Sequence, residues 1–119
     1  MKIYVSHSTN FDYKAELYEP LKAILSDDNK LYLPHESGDD VANTKEIIKQ
    51  SGLIIAEVSY PSTGQGIELG WANEFNVPIV CIYKANTKPS SALQIVSKTF
   101  IEYSSSQDVL NHLNEYLRS

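Results

Sequence analysis

A short apolar run at residues 53–56, reading LIIA, is the feature that most restricts how this chain can fold. Four consecutive apolar residues that end at a charged one, Glu57, are typical of a strand buried on both faces of a parallel sheet. A second run of this kind, at residues 79–83, follows Pro78. Parallel neighbours of this kind need a crossover connection, so the chain is expected to contain βαβ units.

The rest of the chain is expected to alternate between strands and helices. Further strands are predicted at residues 2–6, 31–33 and 99–102. Helices are predicted at residues 11–25, at 41–50, after Gly64, as one turn at 92–96, and around 109–117. Pro20 should kink or divide the first of these helices, because proline cannot continue the hydrogen-bond ladder.

This alternation predicts one α/β domain that spans residues 1–119. The simplest arrangement is a flavodoxin-like (Rossmann-like), doubly wound, five-stranded parallel sheet in the order 2-1-3-4-5, with helices on both faces. Strand two is added on one side of strand one, and strands three to five are added on the other side. Ligands bind at the carboxyl edge of the sheet beside such a point. Five side chains are expected to converge there: Tyr4, Ser8, Glu57, Ser62 and Glu68.

A loop of small residues follows the central strand and precedes the predicted helix that carries Glu68. Because Gly64 and Gly66 lack a Cβ, the loop backbone can approach a ligand closely. Unpaired N–H groups and the helix dipole near the start of that helix favour an ionised Glu68. The loop either binds a phosphate or a sugar, or is a glycine-rich turn that merely packs well.

Three candidate side chains also have ordinary interpretations. Most helical glutamates are solvated, but apolar neighbours such as Ile67 and Leu69 indicate that Glu68 is partly buried, where a carboxylate needs partners. Glu57 is either functional or a strand-end residue that points into solvent. Tyr4 is either part of the site or one of eight tyrosines, in a half-buried strand.

The composition narrows the function classes. A net charge of -5 argues against binding to a nucleic acid polymer, because no basic stripe is present. One cysteine excludes a disulfide framework, no run approaches the roughly 20 apolar residues of a membrane span, and a strand from residue 2 leaves no signal peptide. A cytoplasmic protein is therefore expected. Neither a metal nor an organic cofactor is expected, since the histidines lack ligand spacing and the glycines do not match a dinucleotide fingerprint.

Four segments together resemble the nucleoside 2-deoxyribosyltransferase superfamily, and most closely its 2'-deoxynucleoside 5'-monophosphate N-hydrolase branch. They are KIYVSHS, SGLIIAEVSYPSTGQGIELGWA, PIVCIYK and SSAL, in the family's order and at nearly its distances. The resemblance covers nearly the whole chain. It implies an enzyme that cleaves or transfers the N-glycosidic bond of a 2'-deoxynucleoside or its 5'-monophosphate without a cofactor.

The resemblance also implies roles for individual residues. Glu68 matches the glutamate that attacks the anomeric carbon, and Tyr4 matches the tyrosine that orients it. Ser8 and the loop that contains Ser62, Gly64 and Gly66 match the groups that surround the sugar 5' end in the family. Ser91 matches a serine that reaches a neighbouring subunit's site, which implies a homodimer or a higher homo-oligomer with shared pockets.

Two positions depart from the family pattern. Thr44 stands where the family often has an aspartate that protonates or holds the departing base, and a threonine cannot act as a general acid. Either Glu57, Asp39 or Asp40 replaces this aspartate, or activity is weak or lost. The segment after Ser8 lacks the phosphate-binding arginine of the hydrolase branch. Two alternatives stay open: a non-catalytic nucleotide-binding module, and a hydrolase of ribosylated substrates.

Overall fold

The computed structural model describes residues 1–24, 28–36 and 43–118. Its five strands form one parallel sheet in the order β2-β1-β3-β4-β5. They are β1 (Lys2–His7), β2 (Lys30–Tyr32), β3 (Leu53–Glu57), β4 (Ile79–Lys84) and β5 (Thr99–Tyr103). The predicted flavodoxin-like sheet and its strand order are confirmed, with strand ends that differ from the predicted ones by no more than one residue.

Helices cover both faces of this sheet, as predicted. They are α1 (Glu19–Leu21), α2 (Lys45–Lys49), α3 (Thr63–Glu74) and α4 (Ser106–Arg118), with a 3-10 turn at Ser91–Ile95. Side chains of α1, of the turn before it and of α4 pack on one face, and those of α2 and α3 pack on the other. No helix in the described ranges is long and apolar enough to cross a membrane.

The first helical segment continues through Pro20, which is predicted to kink or divide it, and its hydrogen-bond pattern changes on both sides of this residue. A π-helical turn (Lys14–Tyr18) leads into α1, and a 3-10 turn (Lys22–Ile24) follows it. Pro20 lies within the first two residues of α1 and contributes no N–H to the helical hydrogen bonds. The predicted end of this helix at residue 25, and residues 41 and 42 of the next predicted helix, lie outside the described residues.

The two faces of the sheet receive alternate residues of each strand, because successive side chains point in opposite directions. Ile3 and Val5 of β1 pack against α1 and α4, whereas Tyr4 packs on the face of α2 and α3. In β3, Ile55 likewise lies on the first face and Ala56 on the second. Glu57, two residues after Ile55, therefore projects away from α3.

Glu57 is fully buried, so the interpretation that it points into solvent is wrong. Its carboxylate accepts hydrogen bonds from the Ser59 N–H at 2.6 Å, from the Ser59 hydroxyl at 3.0 Å, and from the Tyr103 hydroxyl. The Ser59 hydroxyl also accepts from the Lys84 N–H at 2.8 Å. The buried carboxylate thus ties the carboxyl ends of β3, β4 and β5 together.

We expect Tyr103→Phe to destabilise the fold. A hydrogen bond to a charged group contributes about 1.5–3 kcal/mol, and the substitution removes one donor from a carboxylate that stays buried. The measurement is the free energy of unfolding in urea. Tyr83→Phe is the matched control, because the Tyr83 hydroxyl has no hydrogen-bond partner within the described part of the chain. Equal losses in the two variants would contradict the role given to Glu57.

Candidate active site

A cavity of about 390 Å³ lies at the carboxyl edge of the sheet, where the chain order reverses between β1 and β3. Its walls are the end of β1 with the loop that follows it (residues 7–10), the loop after β2 (34–35), Thr44, and the stretch from the cap residue Ser62 to Trp71 of α3. Such an edge is where open α/β sheets bind ligands. The cavity is therefore the candidate active site.

The Glu68 carboxylate lines this cavity and accepts hydrogen bonds from three hydroxyl groups. Ser6 donates to Oε1 at 2.9 Å, Thr44 donates to Oε2 at 2.8 Å, and Tyr4 donates to Oε2 as well. An ionised carboxylate has about four acceptor sites, two on each oxygen. Oε2 is thus fully engaged, whereas Oε1 keeps capacity for a ligand.

Tyr4 is completely buried, and its hydroxyl reaches Glu68 from the middle of β1. Burial, together with the adjacent Glu68 charge, holds the pKa of Tyr4 well above its usual value of 10.0. The phenol therefore stays protonated and acts as a permanent donor. Its ring stacks on Tyr32, with centroids 5.5 Å apart and planes at 13°, which fixes the direction of that hydrogen bond.

The loop before α3 leaves open space beside the cavity. Ser62 caps the helix, since its hydroxyl accepts from the Gln65 N–H at 3.3 Å. A Cβ built on Gly64 or Gly66 would meet nothing within 4 Å, so these glycines are not required by packing within the described residues. Gly64 lines the cavity, whereas Gly66 lies outside its lining.

Gln65 fixes α3 against the strand ends. Its side-chain amide donates to the Glu57 carbonyl at 2.7 Å and to the Ser6 carbonyl at 3.2 Å. These two carbonyls belong to β3 and β1, the strands on either side of the reversal point. The amide group therefore sets the position from which Glu68, one helical turn later, enters the cavity.

The structure brings most of the predicted site residues together, with three exceptions: Glu57, Ser91 and Gly66, of which Gly66 lies in α3 outside the cavity lining. Ser8 and Ser62 line the cavity with Glu68, whereas Glu57 faces the opposite side of the sheet, so its expected convergence with Glu68 is wrong. Ser91 is exposed on the 3-10 turn and lies outside the cavity lining. The other two candidates for the missing acid, at positions 39 and 40, lie outside the described residues.

Sequence reasoning missed two kinds of site residue. Ser6 follows Tyr4 by two positions, so strand alternation alone places both on the face of Glu68. His7 and His35, far apart in sequence, have ring centroids 5.3 Å apart in the cavity wall. The predicted strand order places the ends of β1 and β2 side by side, but it does not predict that these two rings meet there.

His7 is held as a neutral imidazole. Because a carbonyl can only accept, its Nδ1–H donates to the Ser8 carbonyl at 2.8 Å, and Nε2 accepts from the Tyr18 hydroxyl at 2.6 Å. The same hydroxyl accepts from the His35 N–H at 2.9 Å. Burial lowers the pKa of His7 to about 4. Within the described residues, no group of three potential ligands that could hold a metal ion is present.

Comparisons with known proteins support the sequence-based resemblance. No family model matches the chain. One stretch is 35% identical over 57 residues to 5-hydroxymethyl-dUMP N-hydrolase of Branchiostoma floridae, covering 45% of this chain and 54% of that protein. A match of 47 residues is 40% identical to a Syntrophotalea carbinolica protein provisionally named 2'-deoxynucleoside 5'-phosphate N-hydrolase 1, covering 39% of this chain and 33% of that protein. The chain thus matches about half the length of one relative and a third of the other.

Solved structures support the fold over nearly the whole chain. CMP N-glycosidase BcmB of Clostridium botulinum matches with a TM-score of 0.71 and 19% identity, covering 96% of this chain and 99% of that one. A conserved protein of Enterococcus faecalis V583 matches with a TM-score of 0.65 and 20% identity, covering 98% of each chain. The predicted resemblance to deoxynucleotide N-hydrolases is confirmed by the curated relatives, and the fold by these structures.

We expect acid to destabilise the protein partly through His7. In the unfolded chain the His7 side chain takes up a proton near pH 6.5, whereas in the folded chain it does so only near pH 4. The unfolded state therefore gains stability relative to the folded state as the pH falls from 6.5 to 4. The shift corresponds to about 3 kcal/mol. Urea unfolding of the wild type and His7→Asn from pH 7 to pH 4 measures this contribution. Parallel pH profiles would contradict it, because carboxylate titration is common to both proteins.

Proposed function

We propose that this protein cleaves the N-glycosidic bond of 2'-deoxynucleosides or their 5'-monophosphates, with Glu68 as the nucleophile. The observation that carries the proposal is the Glu68 carboxylate, held by three hydroxyl donors in a cavity at the carboxyl edge of the sheet. The names of the relatives, which are N-hydrolases of deoxynucleotides, support this substrate class.

The bond between a deoxyribose and its base breaks through an oxocarbenium-like transition state. In our proposal Glu68 Oε1, which has acceptor capacity left, faces the anomeric carbon and forms a bond to it as the base departs. The Tyr4 and Thr44 hydroxyls hold Oε2 and keep the carboxylate in one orientation. A group held in this way needs little reorganisation when the substrate arrives.

The loop before α3 is the proposed contact for the sugar 5' end. Open space at Gly64, the positive end of the α3 dipole and the hydroxyls of Ser8 and Ser62 support this assignment. Ser91 is exposed on a turn that ends in Ile95, which is 80% exposed. This exposure supports the proposal that Ser91 serves the cavity of a second copy in a homodimer.

We expect Glu68→Gln to abolish release of free base. The amide has no nucleophilic oxygen, so no bond to the anomeric carbon forms. Chromatography of each deoxynucleoside and deoxynucleotide after incubation with wild type, Glu68→Gln and Glu74→Gln measures the effect. Glu74 lies at the exposed end of the same helix, so Glu74→Gln makes the same charge change away from the cavity.

The outcome separates catalysis from binding alone. Base release by Glu68→Gln at the wild-type rate would contradict the proposal. If the wild type releases no base but is stabilised against heat by a deoxynucleotide, the chain is instead a non-catalytic nucleotide-binding module. The observation that favours this second function is Thr44, which holds Glu68 but supplies no acid. Faster cleavage of ribonucleotides than of deoxynucleotides would show that the protein is a hydrolase of ribosylated substrates.

We expect Tyr4→Phe to lower kcat by about tenfold to hundredfold while KM changes little. A hydrogen bond to a charged group contributes about 1.5–3 kcal/mol, and this bond acts on the nucleophile and not on the bound substrate. Steady-state kinetics with the best substrate measures the split. Tyr32→Phe is the control, because it keeps the ring that stacks on Tyr4. A rise in KM at constant kcat would show that Tyr4 binds substrate instead.

A further inference from the structure

The proposed reaction needs two chemical groups, a nucleophile and a donor of a proton to the departing base. Within the described part of the chain, three titratable side chains line the cavity: Glu68, His7 and His35. Glu68 takes the first role. Thr44 also lines the cavity, but its hydroxyl donates its hydrogen bond to Glu68, and a threonine hydroxyl does not act as an acid at neutral pH. Among the described residues that line the cavity, a histidine is the remaining candidate for the second role.

His7 has no free nitrogen for this role. Its Nδ1–H is engaged by the Ser8 carbonyl and its Nε2 by the Tyr18 hydroxyl. His7 is also surrounded by aromatic rings, including Phe11 and Tyr13, and only 6% of its surface is exposed. A histidine with both nitrogens bonded inside the fold is a structural element, and protonation would break the bond from Tyr18.

His35 differs from His7 in its hydrogen bonding. Its Nδ1 is buried and has no hydrogen-bond partner within the described residues. Its ring is half-buried and held in place by the rings of His7 at 5.3 Å and Tyr13 at 5.7 Å. Buried ring nitrogens in folded proteins are nearly always paired, so an unpaired one in a residue that lines a ligand-sized cavity needs an explanation. A ligand or a catalytic proton provides one.

We propose that His35 is the general acid that protonates the departing base, which makes it a further catalytic residue of the proposed function on which this inference rests. As the imidazolium gives its proton to the base, the bond between the base nitrogen and the anomeric carbon breaks. The bonding electron pair stays with the base, and Glu68 Oε1 forms an ester with the anomeric carbon. Water then attacks that carbon and passes its proton to neutral His35, which frees the Glu68 carboxylate.

The leaving group gives a test that a structural role would not satisfy. The base of N7-methyl-2'-deoxyguanosine carries a positive charge and departs as a neutral molecule without an added proton, whereas the guanine of 2'-deoxyguanosine needs one. Both substrates are offered as nucleosides and as 5'-monophosphates to wild type, His35→Asn, His35→Gln and His112→Asn. His112 lies on α4, outside the cavity, and is the matched control.

We expect both His35 variants to lower kcat for deoxyguanosine by about a hundredfold or more, and to change kcat for the methylated substrate by less than about threefold. The ratio of the two rates in one preparation is independent of how much protein is folded. An unchanged ratio, or a parallel loss on both substrates, would overturn the proposal.

Two further outcomes are decisive. If the double variant Asp39→Asn, Asp40→Asn shows the selective loss and the His35 variants do not, the acid is in that segment and the proposal for His35 is overturned. If the wild type cleaves neither purine substrate, His35 is not their acid; cleavage of pyrimidine deoxynucleosides that depends on Glu68 would still uphold the proposed function. Release of no base from any deoxynucleoside or deoxynucleotide would reject both.

Discussion

The two-residue period of β1 and β3 is the constraint on which the candidate site depends. Tyr4 and Ser6 face α3, and their hydroxyls reach the same carboxylate from one strand. A shift of the strand by one residue would turn both away and present Val5 to Glu68 instead. The apolar packing of Ile3 and Val5 on the opposite face therefore fixes the register that the polar site requires.

The same constraint gives two carboxylates, eleven positions apart, different environments. Glu57 is 0% exposed, and its three donors leave it no access to a ligand, so it serves the fold. Glu68 is also held by three donors, but it lies half-buried in a cavity wall. Both satisfy the rule that a buried charge needs partners. Only Glu68 combines hydrogen-bond partners with access to a ligand, and a nucleophile requires both.

Sequence patterns could predict the sheet, because apolar runs and helical periodicity are local, and they singled out Glu68 and Tyr4. They could not give the direction of Glu57, because a strand buried on both faces has no polar alternation that reveals which side each residue takes. The hydroxyl of Thr44 is recognised as a partner of Glu68 only in three dimensions. The same holds for the histidine pair, which depends on a contact between the last residue of β1 and the loop after β2.

Tyr18 shows how the irregular first helical segment contributes to the site. Its hydroxyl donates to His7 at the end of β1 and accepts from the backbone of His35 in the loop after β2, so one side chain joins two parts of the cavity wall. Burial keeps the pKa of Tyr18 well above its usual value, so the hydroxyl retains the hydrogen that it donates. Tyr18 ends the π-helical turn just before Pro20. Such turns recur at functional sites, and here the distortion accompanies the side chain that holds the end of β1 and the His35 loop together.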